Sequence, residues 1–238
     1  MCKMDHTIIS FKALNSTNDY LIFLHKKLNV QKNLVIVTDS QKKGRGRRER
    51  LWFSDRDSLT FSFSMQIHQH INSLKISMAT SLSLIQLLGN NNIKAMIKYP
   101  NDILVKNQKI AGILTEIISI NDKKYCIVGV GLNVNNKMFP DNLPHAVSMM
   151  QVLSKSLDKK SLLNSFLSNL DLFVVSDSVK KDYLNQLYGV NTFISCLYKG
   201  SFLRIKILSV DNNGFLKIIT KNSQIRTVKH QDIKWIID

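Results

Sequence analysis

The sequence predicts an α+β protein: a mixed, mostly antiparallel sheet with flanking helices, followed by a small β-barrel. Three observations carry this prediction. Between residues 34 and 132, apolar strand-like runs follow one another with few helices between them, which suits hairpin-connected neighbours. Segments 74–88 and 160–174 repeat apolar residues at helical spacing. After Gly189 the pattern changes to five short strands broken by tight turns, the pattern of a small barrel. The expected division is therefore 1–188 for the main domain and 189–238 for the appendage.

Taken in order, Asn15-Ser16-Thr17-Asn18 precedes Tyr20, Leu21, Leu24 and Leu28, so a capped helix is expected over 18–28. Leu34–Val37 is a short buried strand. Leu59, Phe61, Phe63, Met65 and Ile67 alternate with Thr60, Ser62, Ser64 and Gln66, a strand with one face buried. Leu74–Leu88 is a helix closed by Gly89-Asn90. Ile93–Lys98 is a strand stopped by Pro100, and Ile103–Val105 pairs with Ile110–Ile117 about a turn at Lys106-Asn107-Gln108. Tyr125–Leu132 is a further strand, and Asp141–Pro144 a loop. Helices follow over 160–174 and 179–188, then strands over 193–198, 203–208, 215–219, 225–230 and 233–237.

At 238 residues with 44% apolar and 21% charged residues, the chain is globular and large enough for a substantial core. Its net charge of +16 favours anionic partners, yet the cations are spread: Lys42–Arg50 holds six of the 33 and the last fifty residues eight more. Cys2, Cys126 and Cys196 form no CxxC pair, which argues against a disulfide framework or zinc site. Lys3, Asp5, His6 and Ser10 leave no apolar core for a signal peptide, and no apolar run approaches a membrane span of roughly 20 residues. A cytoplasmic protein without membrane contact is expected.

Four polar clusters sit at predicted strand ends. Ser16-Thr17-Asn18 is either a helix cap or a hydrogen-bonding cup for a polar ligand head. Gln41 leads into Gly44-Arg45-Gly46-Arg47-Arg48-Glu49-Arg50-Leu51-Trp52, where glycines admit close backbone approach and arginines offer forks for phosphate or carboxylate. Lys98-Tyr99-Pro100-Asn101-Asp102 precedes Lys109-Ile110-Ala111-Gly112-Ile113-Leu114, and Gly112 inside an apolar strand signals close approach of a ligand or another backbone. Gly129-Val130-Gly131-Leu132-Asn133 has neither dinucleotide-loop nor Walker spacing. His68 and His70 lack a third ligand, so no metal site is assigned.

Taken together and in this order, the clusters resemble the motif series of the biotin protein ligases. The resemblance spans essentially the whole chain and implies a catalytic domain related to class II aminoacyl-tRNA synthetases with an SH3-like barrel appended. It implies that ATP and biotin are substrates, with Mg²⁺, and that biotinyl-5′-AMP forms before biotin passes to a lysine of the biotin carboxyl carrier domain of a carboxylase. Lys109 and Arg47 are then the catalytic pair. Ser16, Thr17, Asn18, Gln41, Arg45, Gly46, Arg47, Lys109, Gly112 and Leu114 would meet biotin. Gly44, Arg45, Trp52, Asn101 and Asn133 would meet the nucleotide, and the glycine–arginine loop would fold over the adenylate as a lid. Asp102 either orients a basic group or binds metal through water.

Glu49, Lys42, Lys43 and Tyr99 depart from the family pattern. No DNA-binding domain precedes Ser16, so the monofunctional form is expected, and a homodimer is left open. A lipoate or octanoate ligase on the same fold is the alternative, and a basic nucleic-acid-binding protein a more distant one.

Overall fold

Ser16 opens the first helix because its Oγ accepts the Asp19 N–H at 3.2 Å, while Lys26 and Lys27 occupy the last turn, where the helix dipole favours cations. That helix, α1 (Thr17–Leu28), lies between the parallel strands β1 (Thr7–Leu14) and β2 (Leu34–Gln41). The computed structural model describes residues 6–30 and 33–236. Cys2, Lys3, Asp5 and the end of the last expected strand, Ile237, therefore lie outside the described residues.

The first sheet continues through β3 (Ser58–Gln66), β4 (Met96–Lys98), β5 (Asp102–Val105), β6 (Gln108–Ile120) and β7 (Lys123–Asn133). Its order is β1-β2-β3-β7-β6-β5-β4, antiparallel everywhere except β1 with β2. Two tight turns set the central registers. Lys106 and Asn107 join β5 to β6 with φ of 46° and 67°, and Asn121 and Asp122 join β6 to β7 with φ of 44° and 63°. Both central residues are left-handed, the geometry that matches strand twist.

Helices α2 (Ser73–Asn90), α3 (Met149–Leu153), α4 (Lys159–Val175) and α5 (Val179–Asn185) follow in the chain. Phe61, Phe63 and Phe166 join α2 and α4 to one sheet face, and Leu21, Leu24, Ile36, Tyr125 and Ile127 form a smaller core under α1 on the other. The second sheet contains β8 (Ile194–Tyr198), β9 (Ser201–Val210), β10 (Leu216–Thr220), β11 (Ile225–Val228) and β12 (Ile233–Trp235), ordered β11-β10-β9-β8-β12 and antiparallel. Tyr99 Oη donates to the Gly214 carbonyl, and Trp235 Nε1 donates to the Tyr99 carbonyl at 2.8 Å, so this sheet docks on the segment before Asp102.

Four local expectations change. Strand β1 and helix α3 are additional: β1 is an edge strand, five of whose eight residues are exposed, so it lacks a clean apolar alternation. Helix α2 runs through Gly89 and Asn90, and the left-handed residue is Asn92 (φ 60°). Ile93 then donates its N–H to the Leu88 carbonyl at 2.9 Å, which delays the next strand to Met96. Finally, β3 buries both faces, because its hydroxyl row lies beneath α1 and the cleft described next.

Candidate active site

A cleft of about 830 Å³ opens between the first sheet and the second. Its innermost wall starts at α1. Thr17 donates from both N–H and Oγ1 to Gln41 Oε1, at 2.8 and 3.1 Å. Ser62 Oγ lies 2.6 Å from Thr17 Oγ1 and 2.5 Å from Asn18 Oδ1. Asn18 Nδ2 donates to Glu116 Oε2 at 2.6 Å. Gly129 admits this arrangement, since a Cβ there would sit 2.4 Å from Asn18 Oδ1. Ser16–Asn18 is thus both a helix cap and part of a buried polar cup.

Beyond Gln41 the chain turns back on itself. Trp52 N–H donates to the Gly44 carbonyl at 2.9 Å and Gly46 N–H to the Arg50 carbonyl at 2.6 Å, making a small hairpin-like loop. Gly44 is needed for space rather than for conformation: a Cβ would meet the Trp52 carbonyl at 2.6 Å and Gln41 Nε2 at 2.8 Å. The left-handed residue of the loop is Arg48, at φ 56°. Glu49 belongs to the same turn, over Arg47–Glu49; its side chain is not among those described.

The two loop arginines have different partners. Arg45 Nη2 bonds Asp19 Oδ1 at 2.6 Å and Glu116 Oε1 at 2.9 Å, and these carboxylates raise its pKa. Arg47 Nη1 donates to Asn101 Oδ1 at 3.2 Å, and no carboxylate reaches it at ion-pair distance among the described residues. Burial lowers its pKa, yet guanidinium remains charged. Asn101 is fixed in turn, because its Nδ2 donates to the Ile113 carbonyl at 2.8 Å.

Asp102 settles between two lysines, with Oδ1 at 2.6 Å from Lys109 Nζ and Oδ2 at 3.3 Å from Lys98 Nζ. Of the two roles open from sequence, orienting a basic group is the one this geometry displays. Lys109 Nζ also lies 5.2 Å from the centroid of Trp52. The indole is seated on two glycines: a Cβ at Gly131 would be 2.2 Å from Cε2, and one at Gly112 2.9 Å from Cζ3. What approaches Gly112 is therefore a side chain of the same protein, Trp52, together with the Lys109 stem.

Lys199, His230, Asp232 and Lys234 supply the opposite wall from the second sheet. Burial first, then the charges of Arg47 and Arg48, pushes the His230 pKa down, so it stays neutral near pH 7. The lining carries eight Lys and Arg against Asp102 and Asp232, a field suited to an anionic ligand. Residues 10–133 match the model of the biotin/lipoate A/B protein ligase family. The chain belongs to this family.

Relatives agree. It is 26% identical over 226 residues to the bifunctional ligase/repressor BirA of Bacillus subtilis, covering 87% of this chain and 67% of that protein. It is 32% identical over 168 residues to the chloroplastic biotin–protein ligase 1 of Arabidopsis thaliana, covering 67% of this chain and 45% of that one. Among solved structures, the biotin protein ligase from Aquifex aeolicus in complex with biotin and ATP superposes with a TM-score of 0.80 at 25% identity, covering 98% of this chain and 99% of that one.

The biotin/lipoate ligase cleft gathers nearly all the residues singled out in the sequence: Ser16, Thr17, Asn18, Gln41, Arg45, Gly46, Arg47, Trp52, Asn101, Lys109, Gly112 and Leu114 line it. Two lie behind it. Gly44 packs under Trp52, and Asn133 Nδ2 donates to the carbonyls of Val147 at 3.0 Å and Lys109 at 3.3 Å, supporting the lysine's backbone. Ser62, Glu116 and the second-sheet wall were not singled out. The signal for Ser62 was available: a Thr-Ser-Ser face without a single charge, in a chain this basic, is a face kept from water.

Proposed function

We propose that this chain activates biotin with ATP to biotinyl-5′-AMP and then transfers biotin to a lysine of a biotin carboxyl carrier domain. The observation that carries the reading is the placement of Arg47 and Lys109 in one cleft, beside a buried cup of Thr17, Asn18, Gln41 and Ser62. In the first step a biotin carboxylate oxygen bonds to the α-phosphorus and the bond to pyrophosphate breaks. Two anions meet, and fixed cations offset their repulsion. Arg47 and Lys109 would do this, with Trp52 against the adenine. In the second step the acceptor amine attacks the acyl carbon and AMP departs.

The cup favours biotin over lipoate or octanoate. A ureido head can exchange hydrogen bonds with Thr17, Asn18 and Gln41, whereas a dithiolane or alkyl tail would leave buried polar groups facing carbon. Mg²⁺ fits as an ion carried on the triphosphate. Both Asp102 oxygens are taken by lysines, and no three His, Cys, Asp or Glu converge among the described residues. Asp232 is the remaining carboxylate of the cleft and would be its protein-side partner. Residues 1–188 would form the catalytic biotin- and ATP-binding domain, with 189–238 as the appended SH3-like domain that adds the opposite wall of the cleft. The buried free thiols of Cys126 and Cys196 support a reducing, cytoplasmic setting. No helix among the described residues is long and apolar enough to cross a membrane.

The test is exchange of labelled pyrophosphate into ATP, with biotin and lipoate side by side. Biotin-dependent exchange is expected, and Lys109→Ala or Arg47→Ala should reduce it by about 100-fold or more without unfolding the protein. Exchange with lipoate alone would overturn the assignment.

A further inference from the structure

The outward face of the second sheet is cationic and apolar at once. Reading across the strands, Lys234 pairs with Leu197 and Leu197 with Phe202. Next along β9 come Arg204 and Lys206, and Lys217 follows on β10. Phe202 is 61% exposed and Ile225, at the far edge, 58% exposed. Among the described residues no carboxylate of this domain shares the face. Residues 189–236 contain eight Lys and Arg but only two acids: Asp211, which accepts N–H groups of its own turn, and Asp232, in the cleft. Arg204, Lys206 and Lys217 make no ion pair among the described residues.

The same face runs into the cleft without interruption. Leu197 and Lys234 belong to the row that ends at Phe202, and both also line the cleft beside Lys199. A macromolecule resting on Phe202, Arg204 and Lys206 would therefore have its edge at the cleft mouth. We infer that this face is the docking surface for an acidic carrier domain, holding it so that its acceptor lysine enters between the two sheets. The inference rests on the biotin-transfer reading above.

Charge complementarity sets the chemistry of the occupant, and the exposed ring chooses its class. A polyphosphate backbone is gripped by cations alone, whereas Phe202 and Ile225 set among cations make the mixed surface of a protein–protein contact. Its cations should act mainly on encounter, speeding association and fixing register, with an effect that salt removes.

The experiment compares wild type with Lys206→Glu/Lys217→Glu and with Phe202→Ala, three side chains with no part in the cleft. Two readouts are taken: biotin-dependent pyrophosphate exchange, which needs no acceptor, and biotin transfer to a purified carrier domain of net negative charge. The charge-reversed variant should keep wild-type exchange while kcat/KM for the acceptor falls tenfold or more at 20 mM salt, the gap closing near 500 mM. Phe202→Ala should lose several-fold at either salt. A carrier whose surface Asp and Glu are changed to Asn and Gln should no longer distinguish the charge variant from wild type. Exchange intact with transfer unchanged would overturn the docking surface alone. So would loss of polynucleotide binding in the charge variant with transfer unchanged, which would mark a nucleic-acid face. Absence of biotin-dependent exchange in the wild type would instead remove the functional reading beneath it.

Discussion

Replacing Gly131 by alanine tests the seat of Trp52 directly. The added Cβ would lie 2.2, 2.3 and 2.4 Å from Cε2, Cζ2 and Nε1 of the indole, whereas ordinary contact begins near 3.4 Å, so the ring must retreat by about 1.2 Å. It cannot slide sideways easily. Trp52 N–H is tied to the Gly44 carbonyl, and the Gly44 backbone already sits against the Trp52 carbonyl. The strand itself tolerates alanine, because Gly131 is not in the left-handed region and pairs regularly with Thr60 and Gly112. The clash is therefore relieved by lifting the Gly44–Trp52 loop off the sheet, at a loss of about 2 kcal/mol of aromatic burial. That is roughly a 30-fold shift toward the lifted loop. Pyrophosphate exchange at sub-saturating ATP should fall by roughly that factor, while the melting temperature changes by only a few degrees. In a Trp235→Phe background, Trp52 emission should move to longer wavelength. Native emission with unchanged exchange in Gly131→Ala would refute the proposal that the seated indole helps to build the nucleotide site.

Three further outcomes follow from the same geometry. Asp102→Asn frees both lysines, so KM for ATP should hold or fall as the cleft becomes more positive, while kcat drops about tenfold or more because Lys109 is no longer aimed; steady-state exchange kinetics separates the two. Glu116→Gln weakens the anchor of Arg45 by about 1 kcal/mol, so limited proteolysis between residues 45 and 50 should accelerate roughly fivefold. His25 is fully buried against Tyr125, neither ring nitrogen has a partner with hydrogen-bond geometry among the described residues, and burial lowers its pKa, an effect the Val30 backbone only partly offsets. The unfolded chain then takes up a proton near pH 6.5 that the folded chain refuses, so stability should fall as pH drops below that value, by up to about 1.4 kcal/mol per pH unit. Urea unfolding at pH 7.5 and 5.5 should show a smaller difference for His25→Phe.

What the sequence made legible was whatever is local. Ser16 and the Thr17 helix, the Lys106-Asn107 turn and the β5–β6 hairpin it closes depend on residues a few positions apart. Lys109, Arg47 and Gln41 were legible for another reason: the motif series preserves chemistry in order along the chain. Contacts made by folding were not. Asn18 meets Glu116 across 98 residues, and Arg45 meets it across 71. Neither pairing leaves a local trace, so the sequence showed no protein partner for Arg45, and the motif resemblance assigned it to the ligand. The β3 hydroxyl face was read as solvent-exposed because alternation reports polarity, not what lies above the sheet. Likewise, nothing near residue 230 announces that His230 and Asp232 face a cleft whose other wall begins at residue 16.

The unequal treatment of Arg45 and Arg47 explains how a single loop can be both fastened and reactive. Two carboxylates neutralise Arg45 and fix the start of the loop to α1 and β6. Asn101 holds Arg47 through a neutral amide, which directs the guanidinium without cancelling its charge. The same economy recurs at Asp102, one carboxylate shared by two lysines, so that pair retains a net positive charge. Arg47, Lys98 and Lys109 against Asp102 sum to +2, a field that would oppose the repulsion between a carboxylate and a phosphate brought together in this cleft. If every cation of the cleft were paired as Arg45 is, the loop would be better anchored and that repulsion would stand unopposed. A loop arginine held by an amide is the arrangement that serves both demands.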